Sequence, residues 1–193
     1  MPRQLMSPDE CLAILESTPA RIAEATRGLS SDDLRRPIVG EWSATDVLAH
    51  VRACEDARGQ CIPRIIAEDH PTIRAVNPRV LIETSGHRNL DFRDSLEAFT
   101  KQRSKLARTL EKLPPEAWSR SATFTGAGAP LERSVLFYAN WVARQERPHV
   151  KQIEALGNRA SFSAPCRVER SSVFSVSFAE AYAKGLRPDD FFR

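Results

Sequence analysis

Three polar side chains interrupt apolar helical seams in this chain, and their types suit metal chemistry: His50, Gln145 and His149. Gln145 and His149 are four residues apart in "NWVARQERPHVKQIEAL" (140–156), so on one helix they share a face. The seam they break reads Leu131, Val135, Tyr138, Val142, Gln145, His149, Gln152 and Leu156. His50 breaks a second seam of Val47, His50, Cys54, Ala57, Cys61 and Ile65. Two imidazoles and an amide from facing helices would supply three ligands to a divalent ion and leave positions open for water or substrate. That is a catalytic arrangement rather than a structural one. The same residues also suit a plainer role, as core polar groups hydrogen-bonded across a bundle.

Four long helical segments must position these groups. Ser7, Pro8, Asp9 and Glu10 have the form of an N-cap, an N1 proline and a capping box. They open helix 1, with Leu12, Leu15, Ile22 and Leu29 as its stripe and a kink or restart expected at Pro19. "RRPIVGEWSATD" reads as a turn, after which Ser43 and Asp46 cap a helix over 44–67. Residues 68–90 form a long crossover without sustained period. A third helix runs over 91–113, with Leu96, Phe99, Leu106, Leu110 and Leu113 on one side. "SRSATFTGAGAP" reads as loop, and a fourth helix follows over 130–156, closed by Gly157. No strand pattern emerges, so the expected fold class is all-α, a four-helix bundle. Residues 1–157 form the bundle, and 158–193, rich in Ser and Phe, are a C-terminal extension with room for a short helix near 177–184.

Composition narrows the function classes. The 28 Lys and Arg against 25 Asp and Glu give a net charge of +3, scattered rather than striped, and no nucleic-acid motif is present. No apolar run reaches the roughly 18 residues of a membrane helix, and "MPRQLMSPDE" lacks a secretory h-region. A cytoplasmic protein with a small-molecule substrate, no nucleic acid and no membrane is the expectation. Cys11, Cys54, Cys61 and Cys166 form no C-x-x-C pair and read as small buried thiols.

In order along the chain, "GEWSATDVLAHVRACED", "EAFTKQRSKLARTLEKLPPEAW" and "HVKQIEAL" resemble the DinB/YfiT-like superfamily, over residues 7–157. The resemblance implies a bundle of up-down-down-up order with its long crossover between helices 2 and 3. It also implies a divalent metal (Zn, Ni, Fe or Mn) held by three histidines, and a homodimer in many members. By position the ligands fall on His50, Gln145 and His149, with glutamine standing where the resemblance places the middle histidine. Glu146 matches the family's acid, which is not usually a ligand, although its E-x-x-H spacing to His149 makes it a substitute donor. Pro148 is unexpected between the two ligands and predicts a kink there.

The activities implied are metal-dependent thiol transfer, with a low-molecular-weight thiol as cosubstrate, or metal-dependent hydrolysis. The alternative is a metal-free, stress-related or ligand-binding member in which His50 and His149 survive as a polar pair. No catalytic acid or base is assigned. Glu55 reads as an exposed helix acid beside Arg52 or Arg58, ahead of a role as acceptor or base near the metal, and Trp42 reads as a packing anchor. Trp141 and Tyr138 read as packing residues, and His70 and His87 as crossover histidines within reach of the bundle mouth.

Overall fold

A computed structural model describes residues 4–37, 42–126 and 128–161. Helix α1 (Pro8–Ala25) starts as the sequence dictates. The Ser7 hydroxyl accepts from the Glu10 N–H while the Glu10 carboxylate accepts from the Ser7 N–H. The helix runs unbroken through Pro19, so the expected kink does not divide it. Burial of Leu15 and Ile22 on either side outweighs the roughly 3 kcal/mol that an interior proline costs. A short helix, α2 (Ser31–Arg35), follows with its own Ser30–Asp33 capping box. Residues 38–41 of the expected turn lie outside the described residues.

The second long segment begins at α3 (Ala44–Cys54), capped by Ser43 and Asp46 as expected. It is not one regular helix to residue 67. Residues Glu55–Gly59 form a π-helical turn, closed by Gln60 N–H to the Glu55 carbonyl at 3.2 Å, before α4 (Cys61–Ala67) resumes. Pro63 has no N–H for the Gly59 carbonyl, so a regular ladder could not pass this point intact.

The crossover is more ordered than its sequence suggests. It carries strand β1 (Thr72–Arg74), helix α5 (Pro78–Thr84) and a 3-10 turn at His87–Asn89. Asp91 then caps α6 (Phe92–Glu111), and a 3-10 turn at Pro115–Ser119 buries Trp118. The segment expected to be loop contains β2 (Ser121–Thr125), followed by β3 (Leu131–Ser134). β2 pairs in parallel with β1 and antiparallel with β3. The strands were illegible because each is only three to five residues long, too short to show a period. Gly126 and Gly128 supply the positive φ values (86° and 93°) of the β2–β3 connection.

Helix α7 (Val135–Ser161) starts later than expected, after β3, and continues past Gly157 instead of ending there. The rest of the extension, 162–193, including Cys166, lies outside the described residues. No helix among the described residues is long and apolar enough to cross a membrane.

The bundle has four long members: α1, the α3–α4 segment, α6 and α7. α1 packs mainly on α6 and α7, and α3 packs on the same two, so α1 faces α3 and α6 faces α7 across the bundle axis. Its core falls into two apolar clusters. One holds Leu15, Ile62, Ile65, Leu106, Leu110 and Val142. The other holds Ile22, Val47, Val51, Phe99, Val150 and Ile153. On every long member the chain passes from one cluster to the other through a buried polar residue: Thr18, Glu55, Arg103 and Glu146.

Candidate metal centre

His50 and His149 meet where α3 packs on α7. Both are buried, 3% and 6% exposed, with ring centroids 4.6 Å apart at an interplanar angle of 66°. Gln145, one turn before His149, places its amide Nε2 2.8 Å from Nε2 of His50. With the amide donating, that imidazole nitrogen carries the lone pair; a half-turn of the amide would present Oε1 instead. The Cys54 sulfur lies 3.6 Å from the same nitrogen. Gln152 accepts from His149 Nδ1 at 2.9 Å, which fixes the ring and makes Nε2 its lone-pair nitrogen. Trp42 closes the other side of His50 edge-on, with centroids 5.2 Å apart, and the guanidinium of Arg88 sits over Trp42.

The electrostatics keep both imidazoles neutral. Burial pushes His50 down to about 3, helped by the nearby His149 and Arg88. Burial also lowers His149, opposed by the hydrogen bond that its Nδ1 donates to Gln152. Neutral imidazole is the form that binds a metal. Burial drives the Cys54 thiol up to about 12, so it stays protonated.

All three residues singled out in the sequence therefore converge. Pro148 does not spoil their alignment, because it is exposed on the outer side of an uninterrupted α7. The carbonyl of Arg144 that loses its partner can turn to water there.

Two acids behave otherwise than expected. Glu55 is 2% exposed rather than solvated, and Arg103 donates to its Oε2 through Nη2 at 2.9 Å and Nε at 3.3 Å. Glu55 continues the α3 ladder, its N–H bonded to the Val51 carbonyl, and so falls on the buried Val47–Val51 stripe of that helix. Glu146 offers no substitute ligand. Its Oε2 pairs with Arg103 Nη2 at 2.8 Å, and its Oε1 accepts from the Thr18 hydroxyl at 2.7 Å. Burial raises Glu146 to about 7, opposed by Arg103. Arg103 itself escaped the sequence reading. The signal was its place in the α6 seam 96–99–103–106–110, where one cation stands among Leu96, Phe99, Leu106 and Leu110.

The remaining candidates lie elsewhere. His87 bonds Asp56 at 2.8 Å, and Gln102 donates to the other oxygen of that carboxylate, which ties the crossover to the π turn and α6. His70 is exposed beside Thr123 and Glu132 on the sheet. Tyr138 is buried against Phe124 and Phe137, and Trp141 is half-buried beneath the Arg58 guanidinium, so both pack as expected.

Do these residues fit a metal ion? Among the described residues, no three His, Cys, Asp or Glu side chains form a group that could hold one. The third donor at this centre can only be the Gln145 amide oxygen. Two fixed, neutral imidazoles and one amide fit a divalent cation, with lower zinc affinity than three imidazoles and more room for Mn.

Comparison with solved structures returns YfiT from Bacillus subtilis, described as a "probable metal-dependent hydrolase with an unusual four-helix bundle topology". The match has a TM-score of 0.66 and 19% sequence identity, covering 83% of this chain and 93% of that one. At that identity the likeness establishes the fold. Comparison with curated proteins gives no significant match. The DinB superfamily matches residues 14–153, which span all four long helices and all three convergent residues, and the chain belongs to that superfamily.

Proposed function

We propose that this protein is a divalent-metal-dependent enzyme, of hydrolase or thiol-transferase type, with its ion held by His50, His149 and Gln145. The observation that carries this reading is the convergence of two buried, neutral imidazoles and one amide at a single place, with Gln152 fixing the tautomer of His149. The fixed tautomer leaves the lone pair of His149 on Nε2, the nitrogen a metal would take. When bound, the ion would act as a Lewis acid that lowers the pKa of a coordinated water or low-molecular-weight thiol. The chain's own residues supply the rest. Trp42 and the bundle core exclude water from His50, and Gln152 holds the His149 ring. Gln145 would present its amide oxygen to the ion as the third donor. The same resemblance that suggests a small-molecule substrate also suggests a homodimer.

A second reading has its own observation. The Gln145 amide reaches His50 Nε2 at 2.8 Å and closes the centre without any ion. On that reading the protein is a metal-free binder on the same scaffold. Calorimetric titration of chelator-treated protein with Co or Zn ions separates the two. Saturable one-to-one binding by the natural chain, abolished by His149→Ala, supports the enzyme. Binding that arises only in Gln145→His supports the metal-free reading.

A further inference from the structure

An open groove of about 640 Å³ lies between α4 and α6, and every charged side chain lining it is a cation. Lys101, Lys105, Arg108 and Lys112 recur at i, i+4, i+7 and i+11, which places them along one face of α6 over roughly 16 Å at 1.5 Å per residue, a local stripe in a charge pattern that is otherwise scattered. Lys101 is paired with Glu97. Among the described residues no carboxylate forms an ion pair with Lys105, Arg108 or Lys112. Other surface arginines do carry such partners, as in Arg21–Glu154, Arg36–Asp33 and Arg64–Glu68.

The other lining groups narrow the ligand. The hydroxyls of Thr100 and Thr109 are committed to the carbonyls of Leu96 and Lys105, so Ser104 is the one lining hydroxyl without such a bond. Ile66 and Leu113 supply apolar surface. The volume lies within the 300–1,000 Å³ typical of small-molecule sites. Lys and Arg are the usual partners of phosphate. We propose that this groove binds a small, phosphate-rich anion of nucleotide size, held by Lys105, Arg108 and Lys112 with Ser104 donating to it. Ile66 and Leu113 cover its less polar part. The site is independent of the metal reading.

The test is calorimetry on the full chain at low ionic strength, with ATP as probe and inorganic triphosphate and a single-stranded oligonucleotide as comparators. ATP should bind one-to-one, and Lys105→Glu with Arg108→Glu should weaken it by about tenfold or more, the equivalent of about 1.4 kcal/mol. Added salt should weaken it further, and His50→Ala should leave it unchanged. Both substituted side chains are exposed, so circular dichroism should report an intact fold; Lys105→Ala serves as a milder variant. Equal binding of triphosphate supports recognition through phosphate alone. No binding of ATP, or binding indifferent to both variants, would overturn the proposal. So would an oligonucleotide that binds through Lys105 and Arg108 where ATP does not.

Discussion

Arg103 and Glu146 meet at 2.8 Å in the middle of the bundle, each about 1% exposed. Through that contact, and through Glu55 and Thr18, all four long helices share one buried polar layer between two apolar clusters. Glu146 stands beside Gln145 in sequence and three residues before His149, so the layer also fixes the rotation of α7 that aims both at His50.

Removing only the cation should therefore be costly. Arg103→Ala leaves two buried carboxylates facing each other, and breaking a buried pair from one side costs about 3–5 kcal/mol. Replacing the layer as a whole, with Arg103→Met, Glu55→Gln and Glu146→Gln together, should recover a large part of that loss. Urea denaturation of the two variants checks it. A single variant as stable as the natural chain would contradict the role assigned to this layer.

Gly59→Ala probes the π turn. A Cβ there would stand 3.0 Å from Glu55 Cγ, and the Glu55 carboxylate cannot retreat while Arg103 holds it. The expected result is a loss of about 1–3 kcal/mol, as for other over-packing changes, although alanine is the better helix former. Thermal unfolding measures it, and Glu55→Ala in the same background should relieve the clash.

Pro148→Ala should act in the opposite direction. Proline in a helix interior costs about 3 kcal/mol, and this one is exposed with nothing evident to compensate it. The variant should be more stable by about 1 kcal/mol or more, with the His50–His149 contact unchanged. Chemical denaturation gives the first quantity, and the imidazole resonances in NMR report the second.

The pH dependence of the metal-free protein carries two opposed signatures. His50 has a folded pKa of about 3, below its ordinary value of 6.5, so between those values the unfolded chain binds more protons. Its contribution is complete above pH 6.5 and is lost as pH falls toward 3; the depressed His149 adds to the same limb. Glu146 is raised from 4.5 to about 7, so the folded chain binds more protons in that window. Its contribution is complete below pH 4.5 and is lost as pH rises through 7. Accordingly His50→Gln should flatten the acid limb, and Glu146→Gln should remove the decline between 4.5 and 7. Stability curves from pH 3 to 8 in the presence of chelator decide this.

How much of this was readable beforehand depended on whether a residue obeys its helix's own period. Ser7, Ser43 and the apolar seams announce the long helices because caps and 3.6-residue repeats are local properties. His50, Gln145 and His149 were legible for the same reason, as polar breaks in regular seams. Glu55 was not, because an acid four residues after Val51 shows its burial only once its partner Arg103, on another helix, is known. Arg103 lay in plain view on its seam, but its meaning depends on Glu55 and Glu146, which are 48 and 43 residues away in sequence. Strand β1 needed a partner far along the chain, and the three to five residues of each strand carry too little pattern alone.

The most direct test of the metal centre is elemental analysis of the protein purified without a histidine tag, alongside His50→Ala. The account predicts about one divalent ion per chain in the natural protein and its loss in the variant. A natural chain with no ion, and no thermal shift on adding Zn, Ni or Mn, would contradict it and leave the Gln145–His50 hydrogen bond as the finished state of the site.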